Sequence, residues 1–541
     1  GMDIGTPSLR EDMIEVAKKI TWMPEFGLKR ELDWLANMHD WLISKKRYWG
    51  LALPIWVCGS CDHFEVISGK EELKEKAMSG WEEFEGNTPH RPWIDQVTIK
   101  CSKCGGEAHR IPDVGNPWLD AGIVPYSTIM KENTGDPLYL TNRAEWEKWF
   151  PIDFITESFP GQFKNWFYSM IAMSTVLENK QPFDRVLGFG TLLAEDGRPM
   201  HKSWGNSIEF NEGADKIGVD VMRFMYASAN PADNMLFGYK KGDEVRRQVL
   251  LKIWNSYNFF VMNANLVGWT PKELETHVAL NVLDQWILSR IHNTVQAVTK
   301  ALDAYDPYSA SQAIETFIDD LSNWYIRRSR DRVQGDDKVD ETAFFNTSYT
   351  VFVTFSQMIA PIMPFVSDEM YTNLTGEESV HLSNWPMVDE NIINEELEKQ
   401  MQNIRDLATL VHMKRRTANI AVRIPLIQFK YQGPQSFSDQ LLTVLAAEVN
   451  VENVEYAGQS ESFGGTEDES YLFAGENLNE AKGEARKLVR DIQLKRKELK
   501  TALDQEVDVT LPSWPAEYEA FIKKETVIRH LTTGAFSVTP V

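Results

Sequence analysis

Residues 153–206 read DFITESFPGQFKNWFYSMIAMSTVLENKQPFDRVLGFGTLLAEDGRPMHKSWGN, and their pattern sets the architecture of the region. Asp153–Ser158 is typical of a buried strand, Phe163–Glu178 of a buried helix and Arg185–Ala194 of a second strand. This order of elements predicts a parallel β-α-β unit. The loop Asp196–Asn206 follows the second strand, at the edge of a parallel sheet where ligands bind.

The loop Asp196–Asn206, DGRPMHKSWGN, has the composition of a phosphate-binding segment. Gly197 and Gly205 allow such a loop to close and reopen, and Lys202 supplies a cation. A cationic loop in this position stabilises phosphate charge when it faces a nucleotide. The alternative is an ordinary surface loop with a solvated lysine.

The composition predicts a globular chain with several domains. With 541 residues, of which 43% are hydrophobic and 25% charged, the chain is too long for one core. We see neither an apolar run of about 18 residues nor a signal-peptide pattern, and therefore expect a cytoplasmic protein that does not bind membranes. The formal net charge of −23 argues against a general nucleic-acid coat, but it allows RNA binding through a local basic face.

The four cysteines form two C-x-x-C pairs, Cys58-Gly-Ser-Cys61 and Cys101-Ser-Lys-Cys104. Two such turns place four thiolates in the tetrahedral arrangement that a structural zinc ion requires. The alternatives are four unrelated buried thiols or disulfides, and nothing else in the sequence suggests secretion. The spacing therefore predicts one structural zinc site, with a long insertion between the two turns.

Several further segments resemble class I aminoacyl-tRNA synthetases, and among these the isoleucyl-tRNA synthetases. DGRPMHKSWGN is similar to the KMSKS loop of that class, and RYWG separates the chain from the valyl enzymes. The other matching segments are WMPEFG (22–27), DWLISKKRYWGLALPIW (40–56), GVDVMRFMYAS (218–228), SNWYIRRSRDR (322–332) and APIMPFVSDEMY (360–371).

The resemblance implies a multidomain α/β protein. The expected parts are the second half of a Rossmann-type catalytic domain, a zinc-ribbon insertion, an α-helical anticodon-binding bundle and a small C-terminal α+β domain. The expected boundaries are 1–57 for an N-terminal helix and strand of the catalytic domain, 58–110 for the zinc ribbon, 111–244 for the rest of the catalytic domain, 245–425 for the bundle and 426–541 for the last domain. Apolar residues at helical spacing also predict a helix over 8–45.

The resemblance also implies a nucleotide site. Its ATP- and adenylate-binding residues are Glu157, Gln162, Met200, His201, Lys202 and Ser203, with Lys202 as the catalytic cation. In the family, the residues at the Glu157 and Gln162 positions hold the substrate amino group and the adenylate ribose. The loop departs from the pattern at two positions: Pro199 stands in place of the first lysine of the motif, and His201 in place of its first serine. The segment Glu157–Phe167 is one residue longer than the family pattern, which places Gly161 at the position of an aspartate.

Two basic clusters in the helical region predict tRNA contacts. They are Arg327, Arg328, Arg330 and Arg332, and then Lys414, Arg415 and Arg416. Arginine and lysine side chains can bind phosphates, and arginine can stack on unpaired anticodon bases. The alternative for each cluster is a solvated helix end.

The family charges isoleucine tRNA with ATP and Mg, and carries a structural zinc. Its HIGH motif is not found here, because none of the ten histidines lies in an H-x-G-H pattern. The editing domain of the family is not recognised either. We therefore expect the chain to be inactive alone and to need an N-terminal half, which a separate chain could carry. The alternative is a non-catalytic tRNA-binding or regulatory paralogue.

Overall fold

A computed structural model describes residues 7–132, 134–275, 278–333, 335–465, 472–502 and 504–541. Its contacts divide the chain into two compact units. The first contains the residues up to Glu244 together with Asp303–Tyr308, and the second contains Val245–Leu302 and Ser309–Val541.

The first unit contains short strands and helices. Its strands are β1 (Thr21–Met23), β2 (Ser44–Lys45), β3 (Ile55–Cys58), β4 (Phe64–Val66), β5 (Ala77–Ser79), β6 (Thr98–Lys100), β7 (Glu107–Arg110), β8 (Val114–Gly115), β9 (Ile152–Ser158), β10 (Phe183–Phe189), β11 (Leu192–Ala194) and β12 (Met235–Phe237). Its helices are α1 (Pro7–Lys18), α2 (Phe26–Asn37), α3 (Lys70–Lys76), α4 (Trp81–Phe84), α5 (Pro117–Gly122), α6 (Val124–Ser127), α7 (Leu138–Thr141), α8 (Arg143–Trp146), α9 (Phe159–Gln162), α10 (Trp166–Glu178), α11 (Phe210–Ile217), α12 (Val219–Ala227) and α13 (Tyr239–Val245), which ends at the unit boundary.

The predicted β-α-β unit is present, but its predicted second strand, Arg185–Ala194, is divided into β10 and β11, and β11 pairs with β12 in a separate sheet. Strands β9 and β10 are parallel neighbours, and helix α10 connects them. Every residue of α10 from Phe167 to Thr175 is buried, as an apolar sequence without a polar face requires. Strand β10 is central in the order β1-β10-β9, and the register places Gly188 beside Glu157 at the carboxyl end.

The prediction of one helix over 8–45 is wrong. Helices α1 and α2 are separated by β1, which pairs in parallel with β10 and places Trp22 in the core. The Trp22 ring packs against Phe163 and Phe167 at centroid distances of 6.1 and 5.7 Å. Pairing with a buried strand therefore outweighs the helical spacing of the apolar residues.

Both cysteine pairs belong to an antiparallel sheet of order β4-β3-β7-β6-β5. The segment between them, expected as a long insertion, contributes α3, β5 and α4 to this subdomain. Trp56 is fully buried and donates its indole N–H to the Val97 carbonyl at 2.8 Å, which ties β3 to this insertion.

The second unit is helical at first and then mixed. Its helices are α14 (Leu251–Val267), α15 (Val282–Asp303), α16 (Pro307–Asp319), α17 (Lys338–Ile359), α18 (Pro364–Thr375), α19 (Glu395–Thr417), α20 (Asp439–Val449), α21 (Glu480–Glu498) and α22 (Glu519–Thr526). Its strands are β13 (Leu426–Gly433), β14 (Val451–Gln459), β15 (Gly464–Gly465), β16 (Val507–Leu511), β17 (Ile528–Thr533) and β18 (Ser537–Pro540). Among the described helices, none has the length and apolarity needed to cross a membrane.

Aromatic side chains fill the core of the helical region. Trp286, Phe317, Phe344 and Phe355 are almost fully buried. A π-helical turn, Asp320–Ile326, follows α16 and leads into the first basic cluster. Such turns change the direction of the side chains that follow them.

Candidate functional site

Glu157 and Gln162 lie at the carboxyl end of β9. The Glu157 carboxylate accepts a hydrogen bond from the Ser158 amide at 2.7 Å, and the Gln162 side chain accepts one from the Trp166 amide at 3.2 Å. Gln162 therefore caps the start of α10. Opposite Glu157, a Cβ at Gly188 would lie 1.6 Å from the Phe159 ring, so only glycine fits between strand and ring.

The loop after β11 begins as a tight hairpin. The Ala194 amide donates to the Arg198 carbonyl at 2.9 Å, and Gly197 turns the chain with a φ of 79°. Asp196 and Arg198 form an exposed ion pair of 2.6 Å, whose hydrogen bonds lower the pKa of the Asp196 carboxyl. The stem of the loop is therefore held by its own contacts.

The tip of the loop presents Lys202 on a short 3-10 turn, Lys202–Trp204. His201 caps this turn, because its Nδ1 accepts from the Ser203 amide at 3.3 Å and lies 2.6 Å from the Ser203 hydroxyl. Asn206 closes the tip by accepting from the His201 amide and donating to the Pro199 carbonyl. Lys202 is exposed and forms no ion pair with any residue that the structure describes, so its charge is available to a ligand.

Of the sequence-predicted site residues, Met200, His201, Lys202 and Ser203 lie together in this tip, and Glu157 and Gln162 lie together at the strand end. Among the residues that the structure describes, no hydrogen bond or ion pair joins the two groups. Beside the loop is an open cavity of about 660 Å³ that the sequence did not predict. Its lining comes from separate segments: Ala194–Asp196, Gly205–Ile208, Glu212 and Phe237–Lys241. Only the fold brings them together.

The four cysteines form one cluster. Their sulfur atoms all lie within 4.8 Å of one another, with 3.5 Å between Cys58 and Cys104 and 3.8 Å between Cys61 and Cys101. Sulfurs bound tetrahedrally at about 2.3 Å from zinc lie about 3.8 Å apart. All four are free thiols, so the arrangement fits a zinc ion and is not a pair of disulfides.

Backbone amides donate hydrogen bonds to two of the sulfur atoms in this cluster. Ser60 donates its amide to the Cys58 sulfur at 3.4 Å, and Gly106 donates to the Cys104 sulfur at the same distance. The Ser60 hydrogen bond is the main cause that lowers the pKa of Cys58 to about 7. Despite the Gly106 hydrogen bond, the neighbouring sulfurs raise the pKa of Cys104 to about 12. Adjacent thiolates repel one another, so a bound cation is what would allow all four to ionise.

The first basic cluster is divided between surface and interior. Arg327 and Arg328 both pair with Glu448, at 2.8 and 3.0 Å, and Glu448 is only 8% exposed. Arg330 is exposed, and its guanidinium lies 6.0 Å from the centre of the Phe259 ring. Arg327 and Arg330 therefore present charge at the surface.

The structure corrects the prediction that Arg332 and Arg415 contact tRNA. The Arg332 side chain is 9% exposed and pairs with Asp284 at 2.6 Å. Arg415 is 1% exposed, and its guanidinium donates to main-chain carbonyls, including that of Val449 at 3.0 Å. Both groups are used inside the protein. In the second cluster Arg416 is exposed and Lys414 is half-buried.

The chain is similar to known tRNA ligases along most of its length. Residues 4–237 match the family described as tRNA synthetases class I (I, L, M and V), and residues 284–430 match the anticodon-binding domain of tRNA ligase. The isoleucine–tRNA ligase of Dehalococcoides mccartyi (strain ATCC BAA-2266) is 34% identical over 98% of this chain and 54% of its own length. That of Clostridium tetani is 36% identical over 77% of this chain and 40% of its own length.

A solved ternary complex of a LeuRS from Agrobacterium radiobacter K84 with tRNA and LeuAMS aligns with a TM-score of 0.49 and 18% identity. The alignment covers 66% of this chain and 43% of that one. The chain spans about half the length of the curated relatives that it matches.

Proposed function

We propose that this chain supplies one side of the adenylate site and the tRNA-binding region of an isoleucine–tRNA ligase. It belongs to the class I tRNA synthetases and is homologous to isoleucine–tRNA ligases along 98% of its length. The proposed reaction condenses isoleucine with ATP to isoleucyl-AMP with release of pyrophosphate, and then transfers the isoleucyl group to tRNA with release of AMP, in the cytoplasm. The observation that carries the proposal is the exposed Lys202, unpaired among the described residues, on a loop that follows β11, the short strand that comes after the central parallel strand β10.

Lys202 would stabilise the charge that develops on the phosphates as pyrophosphate leaves. Phosphoryl and nucleotidyl chemistry depends mainly on positioning and on such preorganised cations. Gly205, with a φ of 68°, ends the 3-10 turn and gives the tip a point about which it can move. On the neighbouring strand end, Glu157 would hold the substrate amino group and Gln162 the ribose. Mg would accompany the ATP.

Zinc would be structural in this proposal. Cys58, Cys61, Cys101 and Cys104 supply four sulfur ligands, which leave no coordination position for a substrate. The ion would hold the β3 turn against the loop between β6 and β7. It would supply no chemistry to the adenylate site.

The tRNA-binding part of the proposal uses the basic residues that remain at the surface. These are Arg327, Arg328, Arg330, Lys414 and Arg416. Glu448 orients Arg327 and Arg328 through its buried carboxylate. Fixed guanidinium groups lose little side-chain entropy when they bind a phosphate or stack on a base.

The alternative function is a non-catalytic tRNA-binding or regulatory paralogue. The contacts made by His201 favour it, because they close the tip of the loop on itself and bond the Ser203 hydroxyl. Pro199 adds a position where the backbone cannot rotate freely. Both features oppose the loop motion that a phosphate-binding role requires.

The deciding experiment is isoleucine-dependent exchange of pyrophosphate into ATP. We expect no useful rate from the 541-residue chain alone and a clear rate after addition of an N-terminal half from a related ligase. Lys202→Ala should abolish that rate, and Lys18→Ala, at an exposed lysine of α1, should leave it unchanged.

Robust exchange by the chain alone would contradict the need for a second half. Failure of exchange in both mixtures, with tRNA still bound, would support the non-catalytic alternative.

A further inference from the structure

The C-terminal part of the second unit contains one structural module twice. In the first copy, α19 is followed by β13, α20, β14 and β15, and in the second, α21 is followed by β16, α22, β17 and β18. The sheet orders are β14-β13-β15 and β17-β16-β18. In each sheet the central strand is parallel to the second strand and antiparallel to the third.

A buried arginine at the end of the first helix has the same role in both copies. Arg415 donates to the carbonyls of Ala421, Ile424, Val449 and Asn450, and it is 1% exposed. Arg496 is 4% exposed and donates to the carbonyls of Ala502, Gln505 and Thr526. In each copy these carbonyls belong to the segment after the first helix and to the end of the second.

The outer faces of the two first helices differ. Lys487, Arg490 and Lys497 are exposed on α21 at a spacing of three and then seven residues, which places them on one face. Lys500 is also exposed and lies two residues beyond the end of the helix. None of the four forms an ion pair with a described residue, although the chain has a net charge of −23. We call these four residues the cationic stripe.

When Arg415 is aligned with Arg496, the positions that correspond to the stripe carry Asp406, Thr409, Arg416 and Asn419, with a single cation. The two modules therefore share the residue that holds the fold but differ in surface charge. A structural requirement common to both copies cannot explain the stripe. Its three helical members span about 15 Å at 1.5 Å per residue, long enough to reach more than one phosphate of a nucleic-acid backbone.

We propose that the cationic stripe on α21 binds the phosphate backbone of tRNA. The stripe lies beyond residue 430, where the match to the anticodon-binding family ends, so it is a contact separate from Arg327 and Arg330. The inference rests on the proposed function for its choice of RNA. Complementary charge supports that choice, because unpaired cations along one helix face can bind successive phosphates of an RNA backbone. Such a contact does not require recognition of the bases.

An anionic membrane surface is the competing partner. Leu494 is 51% exposed between the cations and Leu499 is 40% exposed, whereas an interfacial helix needs a continuous apolar face. Glu484, Gln493 and Glu498 are exposed among the same turns. Acidic and polar groups there disfavour insertion into lipid and leave a phosphate backbone as the better match.

The test compares two triple variants of the full chain with equal changes of net charge. The first, Lys487→Gln/Arg490→Gln/Lys497→Gln, removes the helical part of the stripe. The matched control, Lys482→Gln/Lys495→Gln/Lys523→Gln, removes cations that are ion-paired with Glu452, Glu498 and Glu519. Fluorescence anisotropy with an isoleucine tRNA transcript is measured over a salt series, and urea unfolding verifies that both variants fold.

We expect the stripe variant to bind tRNA at least tenfold more weakly and to lose about two to three from the slope of log K against log salt. The control should change affinity by less than about threefold.

Equal effects of both variants, or unchanged binding by the stripe variant, would overturn the inference and leave the proposed function standing. Binding of the chain to phosphatidylserine vesicles that depends on the stripe, with tRNA affinity unaffected, would assign the stripe to membranes. Failure of the unsubstituted chain to bind tRNA would overturn both proposals.

Discussion

Arg332 and Asp284 form a buried ion pair, with 2.6 Å between Nη2 and Oδ2 and side-chain exposures of 9% and 0%. Asp340 lies 2.9 Å from the same guanidinium, and the Tyr325 hydroxyl donates to Asp284 at 2.8 Å. Every charge in this group is compensated within the helical region. Arg332 therefore joins the start of α15 to that of α17 and leaves RNA contacts to its exposed neighbours.

Arg332→Ala should lower the free energy of unfolding by about 3–5 kcal/mol, because it leaves the Asp284 carboxylate buried without its partner. Urea denaturation followed by circular dichroism measures this loss. A double variant, Asp284→Leu/Arg332→Leu, should recover part of the stability, since it removes both buried charges. Weaker tRNA binding by Arg332→Ala at unchanged stability would contradict this assignment.

Arg416 and Arg415 are neighbours in the second basic cluster, but substitution of Arg416 should weaken tRNA binding, whereas substitution of Arg415 should lower stability. Arg416→Ala removes an exposed cation, so we expect unfolding within about 0.5 kcal/mol of the wild type and a tRNA salt slope reduced by about 1. A filter-binding salt series measures the slope. A slope that does not change would remove Arg416 from the tRNA surface.

Arg415→Ala is the variant to compare with Arg416→Ala. Because it leaves several buried carbonyls without donors, it should cost roughly 3 kcal/mol or more of stability. Burial also lowers the pKa of the Arg415 guanidinium, to about 10. Arg415→Lys should not restore the fold, since one ammonium cannot reproduce the forked hydrogen bonds. A fully stable Arg415→Ala variant would show that the carbonyls find other donors.

The cysteine cluster should bind one zinc ion per chain, which elemental analysis of the purified protein measures. Cys101→Ser should lose the metal and destabilise the β3–β7 subdomain, because binding of a structural zinc contributes directly to folding. Ser102→Ala, at an exposed position of the same turn, is the control and should keep the metal. Four reactive thiols in a zinc-free but fully folded protein would contradict the assignment.

Glu31 on α2 should make stability depend on pH. It is fully buried, both of its carboxylate oxygens are without a hydrogen-bond partner among the described residues, and burial raises its pKa well above the ordinary value of 4.5. The Tyr168 hydroxyl, whose pKa is raised by burial and by the charge of Glu31, is also without such a partner. The folded protein therefore keeps Glu31 protonated at a pH where the unfolded chain releases the proton.

This difference lowers stability as the pH rises above 4.5, by up to about 1.4 kcal/mol per pH unit until the folded-state pKa is reached. Glu31→Gln should remove this loss, so it should be more stable than the wild type at pH 7.5 and nearly equal to it at pH 4. Urea unfolding at the two pH values measures the effect. Glu11→Gln, at an exposed carboxyl of α1, is the control. A stability difference between wild type and Glu31→Gln that is the same at both pH values would contradict protonation of Glu31.

The sequence predicted those features whose cause is local. The buried helix α10 lies between two strands because its apolar run is continuous. Each C-x-x-C turn brings its own two sulfurs together because the turn is short, whereas the two turns meet only because β3 pairs with β7. Strand β1 was missed, since three residues between two helical patterns give no period of their own. Only the parallel pairing of Thr21–Met23 with Arg185–Leu187 makes this segment a strand.

The residue types of the candidate site were predictable from the sequence, but the burial and the ion-pair partners of each side chain were not. A run of arginines does not reveal which side chain faces Asp284 and which faces solvent, so Arg332 and Arg327 were indistinguishable. Glu31 gives no signal either, because a carboxyl on a helix is usually exposed. The repeated module was also missed, since its two copies share a pattern of contacts more than a pattern of letters.

The repeated module has a consequence for how the chain folds. Within the described residues, β13 forms its ladders with β14 and β15, and β16 forms its ladders with β17 and β18. Each sheet is therefore built from contacts of low sequence separation, which lowers the entropy lost in closing loops and speeds folding. The second module can complete its sheet as soon as it leaves the ribosome, independently of the slower parallel pairing of β1, β9 and β10 far upstream.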